Sequence, residues 1–584
     1  MKQFLKILFA CLLALLLFFF IIFISFTGII AGMSFGSDEK SEIEPKSILY
    51  LDLTESFGEQ GKENSLAVLS GEDTKSVGLN DILKSIQSAE SDDKIKGIFI
   101  KTGICNSGWA SLKEIKDALV DFKLSKKFII SYGEISDQKS YYISSVSDKI
   151  YLNPSGAIEF TGLSITGTFF KGAMDKLGVT SEAFHCGQYK GAYEPFKLEK
   201  FSDPNRYQLS VLLNDMYSEF LQTISKRTLI DTAALAKMAN DGAIKFPQDA
   251  VNNKFIDGLV FSDSVDQIIK SKLSLKEDDK INFVTISEYA DNIKTNSKAK
   301  DKIAILYADG EIHDGEGEDG IYSKTIIKTI RKIKDDKSIK ALVLRVNSPG
   351  GSALASENIY HELMQLKRKK PIVISMGDYA ASGGYYIACA GDSIFAEQTT
   401  LTGSIGVVGV MFNIENMMKN KIGITFDNVK TGQYADFPNM TRPMTDLERN
   451  WIQSYLDSTY KLFKTRVSTA RKLSMEKVEE LAQGHVYSGK LAKEINLIDA
   501  FGNKDRAVQS VASLAKLKEF KIVEYPTPTD EFEELLSMIS GKKKEEAITK
   551  RLLGEDYKIY RELKSAREQQ NRIQTILPMQ IDIK

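Results

Sequence analysis

The chain repeats itself. Lys96-Gly97-Ile98-Phe99-Ile100 and Lys340-Ala341-Leu342-Val343-Leu344 share one pattern at an offset of 244 residues, counted from Lys96 to Lys340. The same offset sets Gly133-Glu134 against Gly377-Asp378, Tyr141-Tyr142-Ile143 against Tyr385-Tyr386-Ile387, and Asp148-Lys149-Ile150-Tyr151 against Asp392-Ser393-Ile394-Phe395. One residue further on, Gly187-Gln188-Tyr189 matches Gly432-Gln433-Tyr434. Self-similarity at a fixed spacing marks a duplicated unit. The expected architecture is therefore two copies of one domain in tandem.

Each copy reads as strand, helix, strand. In the first, residues 48–53, 98–100 and 128–131 are aliphatic or β-branched runs, and Leu112, Ile115, Leu119 and Phe122 recur at helical spacing between the last two. In the second, residues 302–307, 341–346 and 372–374 repeat the strands, with a helix through Ile359, Leu363 and Leu366. Such βαβ units build parallel sheets, so the fold class is α/β. The copies are expected at residues 44–275 and 302–525. Residues 276–301 are mostly polar and charged, broken by the apolar stretch 281–286, and read as a linker. Residues 526–584, which begin Pro526-Thr527-Pro528 and include Lys542-Lys543-Lys544, read as a charged helical extension outside the repeat.

The amino terminus adds a membrane element. Residues 7–33 run without a charge. That exceeds the roughly 20 residues that span a bilayer and is long for a cleaved signal sequence, the alternative reading. Residues 1–36 are expected to be a short cytoplasmic stub and an uncleaved transmembrane signal-anchor, with Lys2 and Lys6 inside and the rest exported. With 77 basic and 78 acidic residues, a nucleic-acid partner has no electrostatic support. The four histidines, His185, His313, His361 and His485, form no metal-binding spacing and read as ordinary surface or loop residues; no metal and no cofactor is expected. Cys11 lies in the apolar run, and Cys105, Cys186 and Cys389 make no disulfide framework.

Chemistry emerges where the copies differ. Ala380-Ala381-Ser382-Gly383-Gly384 follows a β-branched run and precedes a helical one; glycines there let a substrate backbone approach the serine. Helix capping is the competing role for Ser382. Opposite it in the first copy stands Gln138. Asn347-Ser348-Pro349-Gly350-Gly351-Ser352 also follows a strand, and glycines at such a turn can aim backbone N–H groups at a developing oxyanion. An ordinary turn with Ser352 as a cap is the competing role. Opposite Gly350-Gly351 stand Asn106-Ser107.

A nucleophilic serine needs a base, and histidine is poorly placed to supply one. A desolvated lysine can lose its proton near neutral pH. Lys190, in Gly187-Gln188-Tyr189-Lys190-Gly191-Ala192-Tyr193-Glu194-Pro195-Phe196, aligns with Ala435 of the second copy. One copy has the lysine without the serine, and the other has the serine without the lysine. A site shared between the copies accounts for both losses.

These four stretches, Ala380 to Tyr386, Asn347 to Gly351, Leu401-Thr402-Gly403-Ser404-Ile405-Gly406-Val407 and Tyr189 to Phe196, together resemble the signal peptide peptidase A (protease IV) family in its long, duplicated form. The resemblance covers roughly residues 46–525. It implies a Clp-protease/crotonase-like fold and serine peptidase activity, with Ser382 as nucleophile, Lys190 as general base and Gly350 and Gly351 lining the oxyanion hole. Gly383 and Ser404 are expected near the same site. It further implies a membrane-anchored enzyme facing the bacterial periplasm, a homotetramer, that degrades signal peptides left in the inner membrane. Two rival expectations stand beside this. The crotonase fold also hosts acyl-CoA chemistry, which export across a membrane disfavours, and a duplicated domain could serve as an inactive peptide-binding scaffold.

Overall fold

The computed structural model describes residues 42–63, 75–293 and 299–526, together with 574–576, 583 and scattered positions among residues 3–20. The expected membrane span lies largely outside the described residues; among those described, no helix is long and apolar enough to cross a membrane.

The first copy runs β1 (Ser47–Asp52), α1 (Leu79–Ser91), β2 (Ile95–Lys101), α2 (Trp109–Phe122), β3 (Phe128–Ser136), α3 (Gln138–Ser144) and β4 (Lys149–Ile158). β5 (Thr180–Cys186) and the long helix α4 (Asp203–Thr228) follow, then β6 (Gly258–Leu259) and β7 (Phe283–Thr285). The sheet order is β6-β4-β3-β2-β1-β7, and every pairing is parallel. The stretch read as a linker is therefore partly sheet. Its apolar residues supply β7, which pairs Phe283 with Ile48, and Thr285 then caps the helix Ile286–Asn292.

The second copy runs β8 (Lys302–Asp309), β9 (Ile312–His313), β10 (Ile321–Tyr322), α5 (Ser323–Asp335), β11 (Ile339–Ser348), β12 (Gly350–Ser352), α6 (Ala353–Lys367), β13 (Ile372–Ala381) and α7 (Gly383–Ala388). It continues with β14 (Ser393–Ala396), β15 (Leu401–Gly403), β16 (Val407–Asn413), α8 (Asp446–Arg471), β17 (Val486–Ser488), β18 (Ala500–Phe501) and β19 (Lys521–Tyr525). Its main sheet has the order β17-β15-β13-β11-β8-β19, with β14 and β18 branching from β13. The repeat is visible in the boundaries: α1 and α5, β2 and β11, and α2 and α6 all begin 244 residues apart.

Ala341, Leu342, Val343 and Leu344 of β11 are all fully buried, as expected of a parallel strand covered on both faces. Ile326, Ile330 and Ile333 of α5 are buried one helical turn apart. Burial of each such side chain contributes about 1.5–3 kcal/mol. Each core also borrows from the other copy: Phe184 and Cys186 pack in the second core, and Ala381, Leu401 and Val486 in the first. Cys105, Cys186 and Cys389 are free thiols.

Three devices lock the copies together. A third sheet, of order β10-β9-β12-β20-β16-β5, takes strands from both; β20 is Gln574–Ile576, from the extension read as helical. Within it β5 and β16 pair antiparallel from Val407↔Cys186 to Asn413↔Thr180. Arg345 of β11 is 1 % exposed and reaches Glu59 and Glu114 of the first copy, each at 2.8 Å. Asp378 accepts from the Ala110 and Ser111 N–H groups at 2.8 and 2.9 Å, supplying the cap that Gly108 cannot give α2.

Candidate active site

The β5–β16 pairing decides where Lys190 goes. β5 ends at Cys186, four residues before the lysine, and is held in register against the strand that follows Ser404. Lys190 Nζ consequently lies 2.7 Å from Ser382 Oγ, with both residues fully buried and both in one chain.

Ser382 sits at the turn between β13 and α7 with φ 55° and ψ −113°. An L-residue rarely adopts this conformation, which costs on the order of 1–3 kcal/mol and persists only where neighbours enforce it. Here they do. Ser382 N–H donates to Gly403 O at 2.8 Å, and Ser382 O accepts from Tyr386 N–H at 2.8 Å. The helix-capping role does not hold, because the Ser382 side chain takes no helix N–H. Ser352 is the residue that caps: its Oγ accepts from Ala355 N–H at 3.2 Å.

Lys190 is equally constrained. Its Nζ reaches Ser404 O at 3.0 Å and Ser404 Oγ at 2.9 Å. A neutral amine has two N–H donors and one lone pair, and these three partners account for all of them. Burial alone drives the Lys190 pKa well below the ordinary lysine value. Among the described residues no carboxylate stands by to restore the charge, so desolvation favours the neutral amine.

The loops around the lysine interlock across the copies. Tyr189 N–H donates to Gln483 O at 2.9 Å. Gln208 of α4 donates to Tyr189 O at 2.9 Å and accepts from Val486 N–H at 3.0 Å, tying the lysine loop to β17. Gly484 has φ +73°, and a Cβ on it would stand 2.6 Å from Lys190 Cβ, so the position admits only glycine. Ser404 N–H donates to His485 O at 2.7 Å. His485 is thus no ordinary surface residue: burial pushes its imidazole down to about 4, which leaves it neutral near pH 7. The sequence held no signal for Gln208, Gly484 or His485, whose roles arise from contacts with distant loops.

Gly350 and Gly351 form β12 beside the serine, with φ 109° and 148°. A Cβ on Gly351 would stand 2.2 Å from Ile312 O, so β9 can approach only because glycine is there. Gly350 N–H donates to Ser348 Oγ at 3.2 Å. Gly383 opens α7, where the first N–H groups have no partner within the helix. Gln138, opposite Ser382 in the repeat, is spent on structure: it donates to Gly162 O at 2.9 Å and accepts from Gly162 N–H at 3.0 Å.

Comparison with known proteins places one family in both copies. The model of peptidase family S49 matches residues 121–276 and 364–518, once in each copy, and a Clp protease model matches residues 294–400. Protease 4 of Salmonella typhi is 34% identical over 532 residues, covering 88% of this chain and 86% of the relative. The chloroplastic serine protease SPPA of Arabidopsis thaliana is 31% identical, covering 80% of this chain and 70% of its own. Protease 4 of Haemophilus influenzae is 32% identical, covering 84% and 82%.

Proposed function

The chain belongs to peptidase family S49 and is a serine peptidase, and from that premise we propose that it cuts apolar peptides with a Ser382–Lys190 dyad split between its two copies. The observation that carries the proposal is the 2.7 Å approach of Lys190 Nζ to Ser382 Oγ in a fully buried site.

Neutral Lys190 accepts the Ser382 proton as Oγ attacks the scissile carbonyl. The oxyanion forms against the N–H of Gly383 at the start of α7 and against backbone N–H groups at Gly350-Gly351, where Gly350 N–H would turn from Ser348 Oγ to the substrate. One well-aimed donor of this kind contributes about 3 kcal/mol to the transition state. The lysine ammonium then protonates the leaving amine, which breaks the C–N bond and leaves an acyl-serine. Water attacks the ester with Lys190 again as base, releasing the acid and regenerating Ser382. Ser404 holds the amine through its Oγ and O, so that the nitrogen lone pair faces Ser382.

The substrate class follows from the setting. A charge-free run at residues 7–33 would tether the enzyme in a bacterial inner membrane, with the copies in the periplasm, where cleaved signal peptides are left behind. We take the working form to be a homo-oligomer, a tetramer by the family resemblance.

The test is hydrolysis of an apolar signal-sequence peptide by detergent-solubilised protein, comparing wild type with folded Ser382→Ala and Lys190→Ala. Wild type should cleave, and each variant should lose about 10³-fold or more in kcat. Efficient cleavage by Lys190→Ala would put the base elsewhere. A wild type inert on every apolar peptide would favour the scaffold reading.

A further inference from the structure

Glu194 is a buried carboxylate that the chemistry above does not use. It is 1 % exposed and lies four residues after Lys190. Its carboxylate gathers donors from the start of α4. Ser202 N–H and Ser202 Oγ donate to it at 3.2 and 2.5 Å, and Asn205 Nδ2 donates at 2.8 Å.

From Asn205 the hydrogen bonds run on into the other copy. Gln208 Nε2 donates to Asn205 Oδ1 at 2.8 Å and to Tyr189 O at 2.9 Å, and Gln208 Oε1 accepts from Val486 N–H at 3.0 Å. Asn205 and Gln208 are both buried. The series therefore starts on the loop that carries the lysine and ends on β17, in the copy that carries the serine. Gly191 lets the lysine loop lie directly against it, since a Cβ there would stand 2.5 Å from Asn205 Nδ2.

The carboxylate fixes the direction of the series. It can only accept, whereas each amide has a donor end and an acceptor end. Facing Glu194, Asn205 must present its NH2 group, which leaves its carbonyl oxygen for Gln208. Gln208 must then present its own NH2 group, which sets that group beside Tyr189 O and leaves its carbonyl oxygen for Val486 N–H. Turning either amide over would set donor against donor in surroundings of low dielectric, where such a mismatch is costly.

We propose that Glu194 is a positioning residue for Lys190, acting through the Asn205 and Gln208 amides to hold the Tyr189 carbonyl, next to the lysine, against the second copy. The inference rests on the reading of Lys190 as the base. It ties delivery of that base to the docking of the two copies.

The experiment is a set of substitutions in the full chain, assayed on the apolar peptide. Glu194→Leu removes the acceptor and should lower kcat about tenfold to a hundredfold with KM little changed, because the base is displaced while the peptide still binds. Glu194→Gln keeps an oxygen for Asn205 and can donate to Ser202 Oγ, so it should stay within about threefold of wild type. Asn205→Asp sets two carboxylates face to face and should cost at least as much as Glu194→Leu. Adding Glu194→Gln to Asn205→Asp removes one of the two charges, so the double variant should recover most of the lost kcat, although it carries one substitution more.

Wild-type kcat in folded Glu194→Leu overturns the inference, as does a double variant no better than Asn205→Asp. The dyad is judged separately, by Lys190→Ala. If Lys190→Ala cleaves efficiently, the dyad reading fails and takes the role of Glu194 with it. If Lys190→Ala is inactive while Glu194→Leu keeps wild-type kcat, the inference fails alone.

Discussion

Lys190 Nζ lies 2.7 Å from Ser382 Oγ although the two residues are 192 positions apart in the chain. Neither copy of the repeat holds both groups. The distance is set by the antiparallel pairing of β5 with β16, which carries a strand of the first copy into the sheet of the second. On the proposed reading each copy keeps half of a site, and the shared sheet holds the halves together.

The buried lysine has a signed consequence for pH. Its folded-state pKa lies well below its ordinary value because of burial. Catalysis requires the neutral form, so kcat/KM should rise with pH along a single limb and then level. Because His485 is held at about 4, it should add no limb near neutrality. A kcat/KM that falls as pH rises through this limb would contradict this account.

The same shift couples to stability. Between the folded and unfolded pKa values of Lys190, the unfolded chain binds one more proton, so stability rises with pH through that window. Lys190→Met removes the effect. Denaturant unfolding of both proteins from pH 7 to 10 should show wild type gaining stability relative to Lys190→Met, up to the ordinary lysine value of about 10.4. A constant difference would mean that the lysine is not desolvated.

Ser404→Ala deletes the hydroxyl 2.9 Å from Lys190 Nζ and leaves the carbonyl contact at 3.0 Å. One hydrogen bond of this kind contributes about 1 kcal/mol, so kcat should fall about fivefold to tenfold with KM little changed. Steady-state kinetics decide it; an unaltered kcat would reduce Ser404 to a structural hydroxyl.

Gln208→Ala cuts the tie between Tyr189 O and Val486 N–H without touching the dyad. As a positioning residue it should cost about tenfold to a hundredfold in kcat, because small displacements of a reacting group are expensive. The pH limb should stay where it is in wild type, whereas a rearranged site would move it.

Arg345→Met should be the most damaging change outside the reaction centre. It leaves Glu59 and Glu114 buried without their cation, and one oxygen of each already has no partner among the described residues. Burial already pushes the Glu114 carboxyl up to about 8 even beside Arg345. Breaking such a buried pair costs about 3–5 kcal/mol. Urea unfolding reads the loss directly, and a change under about 1 kcal/mol would show the pair to be dispensable.

Much of this was legible before any coordinates. The 244-residue offset set the two-copy architecture, and the strand and helix runs fell where their periodicity put them. Ser382 and Lys190 emerged from comparing the copies, since Gln138 and Ala435 mark what each had lost. What stayed hidden depends on long-range pairing. Three residues of the tail, Gln574–Ile576, carry too little pattern to announce a strand, and their partners lie more than 160 positions upstream. Gly484 and Gln208 matter only because the other copy packs against each, the Lys190 loop against Gly484 and strand β17 against Gln208. Phe283–Thr285 reads as linker in the sequence because three residues are too few to outweigh the charges around them, and the strand β1 that they pair with lies more than 230 positions upstream.

The most direct test of the split site is complementation. Ser382→Ala and Lys190→Ala chains, differently tagged, are co-expressed and purified through both tags, and the mixed assembly is assayed on an apolar signal-sequence peptide. A dyad formed within one chain predicts that the mixture stays as inactive as either variant. Recovery of substantial activity would mean that the lysine of one chain serves the serine of another, and would contradict the account.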